Sequence, residues 1–72
     1  MNKDEFAIKF GAVISEPGVT RDTDLDTLDG WDSLGQMTFI AFVRRNFGMV
    51  LNVDKMRCAK TVSDLYDVIT GG

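Results

Sequence analysis

The stretch LDGWDSLGQM, residues 28–37, is where a polar loop gives way to an apolar run, and reading it as a helix start sets the frame for the whole chain. Asp32 and Ser33 are both favoured at helix starts, because their side-chain oxygens accept hydrogen bonds from the free amides of a first turn. A helix therefore begins near Asp32 or Ser33. Downstream, Leu34, Met37, Ile40 and Ala41 recur at helical spacing, Val43 and Phe47 continue the stripe, Phe39 and Phe42 widen it, and Gly48 is the stop signal.

Upstream, TRDTDLDTLDGWD (residues 20–32) alternates acids, threonines and glycine, with Leu25, Leu28 and Trp31 as isolated apolar members. It reads as a long loop pinned by three anchors, and connections longer than about 12 residues are often functional. Before it, Asn2 with Glu5 three residues on makes a variant capping box, and Phe6, Ala7, Phe10, Val13 and Ile14 follow at helical intervals, giving a first helix over 3–15 that Pro17-Gly18 stops. After the second helix, MVLNV (residues 49–53) is a loop with buried anchors, since a lone strand has nothing to pair with. A brief helix spans about Asp54 to Cys58. The last starts at Thr61 with Asp64 as capping partner, buries Val62, Leu65, Val68 and Ile69 on one face, and ends at Gly71-Gly72. The expectation is an all-α, four-helix bundle in one domain, residues 1–72, with three principal helices, one short one and a long loop between the first two.

The totals agree. A chain of 72 residues, 44% hydrophobic and 26% charged, has the composition of a soluble globular domain. Its core is small, worth roughly 3 to 5 kcal/mol. A single cysteine, Cys58, has no intramolecular disulfide partner, and without histidine no metal site is expected. MNKDEFAIKF (residues 1–10) is charged and amphipathic, unlike a signal peptide or membrane span, so a cytoplasmic location without membrane insertion is expected. The net charge of -3 conceals a division: residues 1–33 hold three cations against eight carboxylates, net -5, whereas residues 34–72 hold five against three, net +2. Such asymmetry bears on partners rather than on fold.

Ser33 has two readings. As part of Asp32-Ser33-Leu34 it caps a helix. At the first turn after a long surface loop, it also lies where the helix dipole and free amides stabilise negative charge, so its hydroxyl suits a phosphate ester. The chain here resembles the acyl carrier proteins over nearly its whole length. GWDSL (residues 30–34) is similar to their Asp-Ser-Leu hallmark at the second helix; RRNFGMVL (residues 44–51) resembles the close of that helix, and KTVSDLYDVI (residues 60–69) the final one. The resemblance implies an acyl-carrier-like bundle and a monomeric, non-catalytic carrier that a phosphopantetheinyl transferase modifies. Using coenzyme A and magnesium, that enzyme would attach 4'-phosphopantetheine to Ser33, with Asp32 and Leu34 in support. Cargo would be loaded by an acyl-loading ligase or transferase, ride as a thioester and be presented to downstream synthase enzymes of fatty-acid or polyketide type, with no nucleic-acid partner. A borrowed thiol accounts for the absence of a catalytic base.

The chain departs from the family in its charge. Glutamates would be expected at several positions held by Gln36, Thr38, Arg44 and Arg45, and DKMRCAK (residues 54–60) carries three cations against one acid. The resemblance places partner docking on Gly35, Met37, Thr38, Ala41, Arg44, Arg45, Lys55, Met56 and Arg57, and this sign points to a specialised pathway whose enzymes present acidic or apolar surfaces. For stability alone, Arg44 and Arg45 simply complement a helix C-terminus. Gly35 within a helix costs about 0.8 to 1 kcal/mol relative to alanine, so close approach or mobility is expected there. Met37, Met49 and Met56 read as adaptable filler, Trp31 as a loop anchor and Cys58 as a small hydrophobe. Gly30-Trp31-Asp32 lacks the double glycine common in peptidyl carriers; D-alanyl carriers stay open. The rival classes are an unmodified helical adaptor and a Gly-Gly modifier or sulfur carrier, which needs a β-grasp fold.

Overall fold

Asn2 starts the first helix as its sequence position predicts, accepting from the Glu5 amide at 2.8 Å, and α1 runs over Lys3–Val13. In the computed structural model, which describes residues 1–71, it is followed by a 3-10 turn (Leu25–Thr27), α2 (Ser33–Phe47), α3 (Val53–Cys58) and α4 (Val62–Thr70). The result is an all-α, four-helix bundle. Among the described residues the only β feature is one isolated bridge, Asp24 to Thr61, so the strands a β-grasp modifier requires are not there. Gly71 ends α4 in the left-handed region at φ 75°; its neighbour Gly72 lies outside the described residues.

The first helix stops two residues short of expectation, and before Pro17 is reached. Ser15 takes φ 59°, the Glu16 amide donates back to the Gly11 carbonyl at 2.8 Å and that of Ser15 to Ala12 at 3.4 Å. This paired closure is a Schellman motif with serine where glycine is usual.

Phe6, Phe10, Phe39, Leu25, Met56, Leu65, Val43 and Val62 are fully buried at the centre. Phe10 and Phe39 meet edge to face with centroids 5.4 Å apart, an arrangement worth about 0.5 to 1.5 kcal/mol beyond area burial. α1 packs on both α2 and α4, and α3 on α4. On α2 the buried residues are Gly35, Phe39 and Val43, four apart. Leu34 and Met37 are 72% and 67% exposed, and Ala41 is exposed as well. The expected apolar stripe is thus rotated: these three face outward, and Met37 is no core filler, although Met56 is. Met49 is half-buried against the core, Leu51 is buried and Val50 exposed, so residues 49–53 form a loop with buried anchors.

The long loop is held by more than its three apolar anchors. Leu25 is buried, and Leu28 and Trp31 pack against the core. Backbone bonds also tie the loop to the start of α4: Leu25 N–H to the Lys60 carbonyl at 2.8 Å, Val62 N–H to Thr23 at 3.1 Å and Ser63 N–H to Arg21 at 2.8 Å. At about 1 kcal/mol net for each, these bonds add to the apolar anchors in holding residues 21–25.

Candidate functional site

The approach to α2 is built by three contacts in succession. The Gly30 amide donates to Glu16 Oε2 at 2.7 Å. Trp31 then meets Phe10 and Phe39 edge to face, with ring centroids 5.3 and 5.6 Å away. Asp32, in extended conformation, accepts from the Gly35 amide at 2.8 Å through Oδ1. The cap is therefore Asp32. Ser33 is the first helical residue and is exposed, and its hydroxyl meets no protein hydrogen-bond partner among the described residues. The Ser33 and Leu34 amides precede the first intrahelical bond, which Gln36 N–H makes to the Asp32 carbonyl at 2.9 Å, so both face outward at the positive end of the helix dipole.

Gly35 is buried, and a Cβ there would run into the backbone carbonyl of Gly30. Close approach explains the glycine, and its removal from the surface corrects its expected place in a docking patch. Gly30 is constrained from the other side, since a Cβ on it would meet the Ile14 carbonyl at 2.6 Å and the Glu16 side chain at 3.2 Å. The two glycines clamp the loop onto the first turn, Gly30 two residues before Asp32 and Gly35 two residues after Ser33.

Beside Ser33 a shallow groove of about 190 Å³ runs between α2 and α3, lined by Ser33, Gln36, Met37 and Ile40 on one side and Val53, Met56 and Arg57 on the other. The exposed hydroxyl, the open amides and this apolar-floored groove fit a phosphodiester-linked arm. Of the expected docking residues, Met37, Thr38, Ala41, Arg44 and Arg45 are exposed on α2, and Lys55 and Arg57 on α3. The Thr38 hydroxyl is turned back to the Leu34 carbonyl at 2.9 Å. Met56, 1% exposed, belongs to the core and floors the groove, a correction to its place among surface residues.

Two residues of the site had no signal in sequence: Glu16, fourteen positions from the amide it holds, and Gly30 as a close-approach position. Cys58, read from sequence as a small hydrophobe, is exposed and lines a separate groove of about 470 Å³ between α3 and α4 with Ala59, Asp64, Asp67 and Val68. Among the described residues no cluster of His, Cys, Asp and Glu is arranged to hold a metal, and no helix is long and apolar enough to cross a membrane. No protein-family profile, curated protein or solved structure matches this chain, so its functional reading rests on the geometry around Ser33.

Proposed function

We propose that the protein is an acyl carrier whose cargo is held on a 4'-phosphopantetheine arm at Ser33. The observation that carries this reading is the division of labour at the start of α2. Asp32 does the capping, which leaves the Ser33 hydroxyl exposed and without a structural task. The Ser33 oxygen attacks the β-phosphorus of coenzyme A on a transferase, a new P–O ester bond forms, the pyrophosphate bond breaks, adenosine 3',5'-bisphosphate leaves, and the serine proton passes to the transferase. Bound at Ser33, the arm supplies the thiol that carries acyl groups as thioesters. The open amides of Ser33 and Leu34 stabilise the phosphodiester charge. Trp31 and the glycine clamp hold the serine at a fixed distance from the core, and the α2–α3 groove gives the arm or a short cargo an apolar wall.

The pathway is a specialised one and its loading ligase or transferase a dedicated enzyme, because the surface beside Ser33 is basic where general fatty-acid carriers are acidic. The test is incubation with coenzyme A, magnesium and a promiscuous phosphopantetheinyl transferase, followed by intact mass and peptide mapping. One arm on Ser33 is the expected result. Failure with every transferase, including that of the native genome, favours an unmodified helical adaptor.

A further inference from the structure

The outer face of α2 is unusual in three respects that belong together. Leu34, Met37 and Ala41, spaced i, i+3, i+7, form an exposed apolar line, with the first two among the most exposed large hydrophobics of the molecule. The helix contains no Asp or Glu and ends in Arg44 and Arg45, while α3 adds Lys55 and Arg57 against Asp54 alone. Finally, the ion pairs among the described residues are Lys3–Asp67 and Arg21–Asp4, and none of the α2 or α3 cations takes part. The helix dipole explains cations at a helix end, but not an exposed apolar line leading from Ser33 to them.

Resting on the carrier reading for what the partner does, we propose that this face docks proteins presenting an apolar hollow rimmed by carboxylates, the hollow taking Leu34 and Met37 and the rim meeting Arg44, Arg45 and Arg57. Charge complementarity selects that partner. A second copy of the chain offers carboxylates in its loop, but Leu25, Leu28 and Trp31 there are turned into their own core, so it supplies a rim without a hollow. A lipid surface fits less well, since the opposite face of α2 is committed to the core through Phe39 and Val43 and only two large side chains remain to insert.

The test is titration of the ¹⁵N-labelled full chain with two designed amphipathic helical peptides that share one apolar face and carry either glutamates or lysines on the other. The glutamate peptide should shift the amides of Leu34, Met37, Ala41, Arg44, Arg45 and Arg57, and bind roughly tenfold more tightly than the lysine peptide at low salt. The preference should collapse at high salt, reverse in Arg44→Glu/Arg45→Glu, and both affinities should fall in Met37→Ser, which changes no charge. Equal binding of the two peptides overturns the proposal. So do shifts confined to another face, the same shifts with phosphatidylglycerol vesicles alone, or the same shifts on raising protein concentration alone. Arm attachment to the wild-type chain, assayed beside the titration, separates the two readings: a wild-type chain that never accepts an arm but discriminates the peptides sinks the carrier and keeps the surface. A chain that accepts the arm but fails to discriminate does the opposite.

Discussion

At the start of α4, Thr61 accepts from the Asp64 amide at 3.2 Å, and Asp64 Oδ2 accepts from the Lys60 and Thr61 amides at 3.0 and 3.1 Å. The Ser63 hydroxyl, one turn-position later, accepts from Lys3 Nζ at 2.7 Å. At the start of α2, Asp32 makes one side-chain bond and the serine beside it makes none. The same residue types begin both helices. The difference is that α4 is closed, with the Thr61 and Asp64 side chains spent on its own cap and Ser63 on Lys3 of α1, whereas α2 is fastened from behind by Glu16, Trp31 and two glycines. Fastening by backbone and aromatic contacts frees the front of the turn for chemistry.

The sharpest way to break this comparison is to exchange the serines. Ser33→Ala should abolish phosphopantetheine attachment altogether and change stability by less than about 0.5 kcal/mol, as expected for an exposed side chain without partners. Ser63→Ala should leave attachment at the wild-type rate while loosening the Lys3 contact. Intact mass and urea denaturation of both variants measure this, and an arm on the Ser33→Ala chain sinks the assignment.

Next in size is Gly35→Ala. Alanine gains about 0.8 to 1 kcal/mol in helix propensity, but its methyl group meets the Gly30 carbonyl, part of a backbone held by Glu16 that has nowhere to retreat. Overpacking of this kind costs about 1 to 3 kcal/mol, so the variant should be less stable despite its better helix former, and slower to modify. Greater stability in urea would show that the clamp is loose. Thr61→Ala, in contrast, removes a cap in the closed turn and should cost about 1 kcal/mol with no effect on modification.

How much of this was legible in the sequence follows from how local each cause is. The caps at Asn2, Asp32 and Thr61 were legible because donor and acceptor lie three residues apart. The rotation of α2 was legible only in part, since the family resemblance placed Met37 and Ala41 on a docking face while periodicity counted them in the apolar stripe. Its apolar residues allow more than one stripe, and the choice is made by Gly35, which periodicity does not count and which faces inward because the Gly30 carbonyl needs the space. With Gly35, Phe39 and Val43 inside, Leu34, Met37 and Ala41 fall outside. The early end of α1 turns on a left-handed serine, which no residue preference announces. The ties from residues 21–25 to the start of α4 are backbone bonds across some forty positions, and backbone bonds leave no trace in side-chain pattern.

The smallest effect concerns pH, and it belongs to the closed turn. Asp64 is held below the usual carboxylate range, first by the Lys60 amide and next by that of Thr61, with desolvation opposing and the Thr61 hydroxyl and Lys3 adding less. A carboxylate whose folded pKa is depressed contributes stability that is fully present above its unfolded pKa and is lost as pH falls through the folded value. The contribution should therefore persist at neutral pH and fade below the ordinary aspartate range. Its loss loosens the α4 start and, through the Val62 and Ser63 amides bonded to Thr23 and Arg21, the loop that leads to Ser33. In Asp64→Asn, urea midpoints should fall less between pH 7 and pH 3 than in the wild type. An acid dependence left unchanged by Asp64→Asn would mean that the closed turn is not what gives way as pH falls.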